Sequence, residues 1–65
     1  MKALRDYLEL TDTSQQAFAE RLGVKQPTVW GWINGKYSPS AEMLKRISEV
    51  TGISIDKLLT DVRAA

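Results

Sequence analysis

Histidine and cysteine are both absent from the 65 residues. The chain therefore lacks the commonest general base, the thiolate nucleophile and the usual zinc ligands. No carboxylate pair converges either, and Glu42 and Glu49 are spaced as a solvated helix face. Catalysis, a metal centre, a cofactor and a small-molecule ligand are not expected. Without cysteine there is no disulfide framework to suggest a secreted scaffold. No apolar run nears the roughly 20 residues that span a bilayer, and the opening MKALRDYLEL has no signal-peptide apolar core. A soluble cytoplasmic protein is the expectation. Low-complexity segments, linkers and repeats are missing too, so residues 1–65 read as one domain. A domain of roughly 60 residues buries only about 60% of its unfolded surface, so its core is thin and association helps to hold it.

Charge of one sign is missing locally. From Arg21 to Ala41 there is no acidic residue, while Arg21, Lys25 and Lys36 lie inside that window. All 8 carboxylates stand outside it, on a chain whose net charge is only +1. A locally basic stretch on a nearly neutral chain suits one nucleic-acid-facing surface.

Period-2 alternation is not sustained anywhere, and what is present is helical spacing punctuated by Gly and Pro. Leu4, Tyr7 and Leu8 share one face of a helix over about Lys2 to Leu10. Thr11-Asp12-Thr13-Ser14 is a cap-rich junction. Either Thr13, with Gln16 as its capping-box partner, or Ser14 starts a second helix. That helix turns Phe18, Ala19 and Leu22 inward and ends at Gly23. A third helix begins after Lys25, with Pro27 in its first turn and Asn34-Gly35 as its stop. Ser38-Pro39 reads as N-cap and first residue of a fourth helix carrying Met43, Leu44, Ile47 and Val50, closed by Gly52. Ser54 caps a fifth from Ile55 to about Leu59, and the tail from Asp61 onward reads as frayed. The fold class is all-α, a compact five-helix domain.

The informative segment runs from about residue 14 to residue 34. Ala19 is small where two helices cross steeply. Gly23 occupies a turn too tight for a β-carbon at positive φ. Val24 plugs the corner, and Val29 and Trp32, three apart, hold the third helix to the core. This is the spacing of a helix-turn-helix.

With these residues in place the chain resembles the phage Cro and repressor (XRE-type) helix-turn-helix family, over about Leu8 to Leu59. Ser14-Gln15, Leu22-Gly23-Val24, Trp32-Ile33-Asn34-Gly35-Lys36, Ser38-Pro39 and the stretch Thr51 to Leu59 carry the likeness in order. The resemblance implies a lambda-repressor-like DNA-binding fold and repression of transcription from an operator read in the major groove of double-stranded DNA by a dimer. Such a protein is prokaryotic or phage-borne, cytoplasmic, and associated with the nucleoid when bound.

The resemblance also implies roles for individual positions. Gln15 matches a glutamine that donates to a phosphate and braces the first glutamine of the recognition helix, and Gln26 occupies that second position. A glutamine there bonds adenine N6 and N7, worth about 1–3 kcal/mol of discrimination; otherwise Gln26 merely faces solvent. Pro27, Thr28 and Gly31 fall among the base-facing positions. Asn34, Lys36, Tyr37 and Ser38 match the loop that follows the DNA backbone, where contacts position without specifying.

Four residues depart from the pattern. Lys25 stands where a Ser or Thr cap is common, and a cation at a helix N-terminus opposes the dipole. It either meets a phosphate or a guanine, or leaves an uncapped first turn. Pro27 and Gly31 remove side chains that relatives use for reading. Trp30, one position after Val29, either contacts DNA or folds back over the core. Lys45 and Arg46 read as a solvated face.

Ile53, Ile55, Leu59 and Val62 exceed what closing a small core needs. In the resembling family this region pairs two subunits, although the same residues would also cover the first helix. A dimer would place two recognition helices about 34 Å apart on a two-fold operator. The length leaves no room for a separate oligomerisation or self-cleaving domain, and a fragment of a longer repressor reads much the same. The rival reading is an antitoxin-like or adaptor module that grips a protein and binds DNA secondarily.

Overall fold

The computed structural model describes residues 1–63, which form five helices: α1 Lys2–Leu10, α2 Gln15–Leu22, α3 Gln26–Ile33, α4 Ala41–Thr51 and α5 Ile55–Arg63. Apolar stripes at helical spacing turn inward from every helix. Leu4, Leu8, Phe18, Leu22, Val29, Trp32, Leu44, Ile47 and Leu58 make one contiguous core, and Tyr7, Val24, Met43, Ile53, Leu59 and Val62 pack around it.

The join between α2 and α3 positions the site. Ser14 caps α2, its hydroxyl accepting from the Ala17 amide at 3.0 Å. Thr13 is not the cap, and Gln16 reaches forward to donate to Glu20 at 3.3 Å. At the other end Gly23 is left-handed at φ 75°, where a β-carbon is disfavoured. The Val24 amide donates to the Ala19 carbonyl at 3.0 Å and that of Gly23 to Glu20 at 3.3 Å. These two bonds form a Schellman turn, which satisfies the last carbonyls of α2 and redirects the chain within two residues. Ala19 is buried, as the small residue of that corner, and Val24 lies half-buried against the core.

Two expectations change. Ser38 is not the cap of α4: Ser40 is, accepting from the Met43 amide at 3.1 Å. Pro39 is buried just before that cap and Leu44 is buried four residues after it, the two positions of a hydrophobic staple. Burying the proline ring outweighs its preference for the first helical position. Nor is the segment after Asp61 frayed as far as Arg63. Ser54 caps α5 by accepting from the Lys57 amide at 3.2 Å, and the helix runs on to Arg63. Asp61 accepts from the Ala3 amide at 3.0 Å, placing a carboxylate at the positive end of α1. Ala64 and Ala65, the end of the tail expected to fray, lie outside the described residues. Met1 is buried as well, and its ammonium donates to the carbonyls of Trp32 and Ile33 at 3.2 Å each, at the negative end of α3.

Candidate nucleic-acid interface

The sequence of α3, QPTVWGWI, is apolar on most of its circumference, so packing decides which side remains outside. Val29, Trp32 and Ile33 face the core. Lys25, Pro27 and Trp30 are exposed, and Gln26 and Thr28 are half-buried beside them. Gln26 and Trp30, four apart, share one face, and Pro27 joins Trp30 at three. The bare face of α3 is thus a strip from Lys25 to Trp30.

Gln15 and Gln26 meet across the corner. The Gln26 Nε2 donates to Gln15 Oε1 at 2.7 Å, with both side chains partly buried. They are eleven residues apart in the chain, and the Gly23 turn brings the first turn of α2 beside that of α3. The donor count leaves useful groups free. Gln26 keeps its Oε1 and its second N–H, while Gln15 keeps both N–H groups of its amide.

Lys25 caps α3 with its backbone alone and makes no side-chain cap bond. Its carbonyl accepts from the Thr28 amide at 3.0 Å, and its ammonium is left on the exposed side. At the other end Asn34 bonds back, donating from Nδ2 to the Trp30 carbonyl at 2.9 Å. Trp30 is 42% exposed, and the Lys36 ammonium lies over its ring, 5.5 Å from the centroid. Tyr37 is more exposed still, and Ser38 is also on the surface.

Gly31 is a correction. Expected among the base-facing positions, it is buried, because the Tyr37 ring covers it. A β-carbon built there would fall within the ring edge of Tyr37. The residue beside the exposed strip is therefore a seat for an aromatic ring and presents no surface to a groove. Sequence reasoning also left out Arg5, which lines an open groove with Ser14, Gln15, Trp30 and Asn34. It sits on the outer face of α1, where spacing marks only a solvated position.

The family model described as helix-turn-helix matches residues 4–58, from Leu4 in α1 to Leu58 in α5. The chain belongs to the XRE-type helix-turn-helix family. That family is one of DNA-binding transcriptional regulators. An uncharacterised HTH-type transcriptional regulator of Haemophilus influenzae is 44% identical over 43 residues, which are 66% of this chain and 18% of that protein. Another, of Methanocaldococcus jannaschii, is 31% identical over 55 residues, covering 85% of this chain and 83% of that protein. The chain thus spans under a fifth of the first relative and most of the second. No solved structure matches it. In this helix-turn-helix α2 and α3 meet at the Gly23 corner, and α3 carries the exposed strip. Among the described residues, no helix is long and apolar enough to cross a membrane.

Proposed function

We propose that the chain is a sequence-specific transcriptional regulator, a Cro-like repressor whose dimer reads an inverted-repeat operator through α3. The Gln26–Gln15 bond carries the reading. A free glutamine loses side-chain entropy on docking, and a braced one has lost it already. The atoms left over, one N–H and one carbonyl oxygen, are the pair that adenine N7 and N6 require in the major groove. Lys25 and Trp30 flank Gln26 on the exposed strip and take neighbouring base edges, half-buried Thr28 reaches a further base from another side of the first turn, and Pro27 packs on the groove wall. Gln15 donates to a phosphate, joined by Asn34, Lys36, Tyr37 and Ser38. The dimer uses the surface of α5 and the turn before it. Ile55 is 42% exposed there, while Ile53, Leu59 and Val62 divide their area between core and surface.

Selection of sites from a random duplex pool at near-physiological salt tests this. An enriched inverted repeat with half-site centres about 10 bp apart supports dimeric reading. A single enriched half-site removes the dimer and keeps the reader. No enrichment refutes the DNA reading. Leu10, 86% exposed at the end of α1, favours a second reading as an antitoxin-like or adaptor module. In that case a protein partner is captured by the wild-type chain and lost by Leu10→Glu, while DNA selection fails.

A further inference from the structure

We infer that Gly31 is a positioning residue: its bare α-carbon seats the Tyr37 ring, locks the loop after α3, and so presents the Lys36 ammonium to a DNA phosphate. The inference rests on the DNA-binding reading of α3 and adds how its backbone-following loop is held.

Four sets of contacts converge on residues 34–37. The Gly31 carbonyl accepts from the amides of both Lys36 and Tyr37, at 2.8 and 3.3 Å. The Tyr37 ring occupies the volume that any β-carbon at position 31 would take, although Tyr37 itself is 60% exposed. Lys36 returns over the exposed Trp30 ring, 5.5 Å from its centroid. Asn34 closes the helix end through its bond to the Trp30 carbonyl.

A solvent-exposed loop of this length would otherwise sample many conformers. Here the main chain is tied to Gly31 and the two following side chains are laid on α3. A lysine stem is long and flexible, and holding its head over an indole face removes much of the freedom that phosphate binding would otherwise have to remove. The ammonium retains three donors for a phosphate, since a cation–π contact consumes none of them. Gly31 does not read a base itself; it decides where Lys36 and the Tyr37 hydroxyl stand. Glycine inside a helix is unfavourable compared with alanine, and this seat accounts for its presence.

Gly31→Ala is the test, because alanine favours the helix and only an exposed ring must move aside. With thermal unfolding as a check on folding, hydrogen exchange at the Lys36 and Tyr37 amides is expected to accelerate. Affinity for specific and random duplexes is expected to fall alike, about tenfold, and the slope of log affinity against log salt to shrink by about one per copy. Tyr37→Ala should show the same faster exchange, whereas Tyr37→Phe, which keeps the ring, should retain the protection. Lys36→Ala should cost less affinity in the Gly31→Ala background than in the wild type.

Unchanged exchange and affinity in Gly31→Ala would overturn the lock and leave the DNA reading intact. So would an equal Lys36→Ala cost in both backgrounds, or exchange as fast in Tyr37→Phe as in Tyr37→Ala. Failure of the wild-type chain to bind any duplex at about 50 mM salt would overturn the DNA reading and this phosphate role together.

Discussion

Asp12 holds φ at 52°, in the left-handed region where a β-carbon crowds the following carbonyl. It closes α1 as Gly23 closes α2: the Thr13 amide donates to Leu8 and that of Asp12 to Glu9, at 2.9 and 3.2 Å. Asp12→Gly relieves the crowding and should raise stability by roughly 0.5–1 kcal/mol, read as a higher urea midpoint with an unchanged slope. Gly23→Ala meets no neighbour within 4 Å, so its cost is backbone strain alone. On the exposed strip of α3, Gln26→Ala should leave folding unchanged and, if the proposed reading holds, flatten preference at one base pair by about 1–3 kcal/mol, measured by competition among singly substituted sites. Gln15→Ala frees the Gln26 amide, so the two substitutions should be non-additive in a double-mutant cycle. The roles of Gly23, Val24, Ala19 and Trp32 were legible in the sequence because each is a local demand of backbone geometry or helical spacing. The burial of Gly31 was not, since the residue that covers it arrives from beyond the helix end.

The helices are short, from 8 to 11 residues, and too short to stand alone in water. Their ends therefore matter as much as their faces. Ser14, Ser40 and Ser54 each accept from an amide three residues on, satisfying donors that the helix leaves bare. Ser40→Ala should cost about 1 kcal/mol, with Ser38→Ala costing nothing measurable in the same thermal melt. The opposite result would return the cap to Ser38. Helix α5 is tied to α1 through Asp61, whose carboxylate meets the Ala3 amide. Asp61→Ala should lower stability by about 0.3–1 kcal/mol, and amide exchange in the first turn of α1 should rise with it.

The described chain measures 24 × 22 × 20 Å. A body of that size cannot put reading helices into two major grooves about 34 Å apart, so an inverted repeat demands two copies. Sedimentation with operator DNA should give two chains per site, and one chain per site would remove the α5 dimer. Stability at this size is small, on the order of 3–10 kcal/mol for 65 residues. Leu58 is fully buried where α5 meets the core. Leu58→Ala, at about 2–5 kcal/mol, removes a large part of that and should lower the thermal midpoint read by circular dichroism.

Spacing along the chain was enough to set the five helices and the corner at Gly23. These follow from interactions within a few residues, where periodicity, caps and turns act. Contacts between distant elements required the folded molecule. The choice of Ser40 over Ser38 depended on burying Pro39, and the order of α5 as far as Arg63 depended on α1 offering an amide to Asp61. The seating of Tyr37 on Gly31, with Lys36 over Trp30, depended on how the chain folds back after α3. Local rules identify which residues are available, and three-dimensional packing decides which surfaces they still expose.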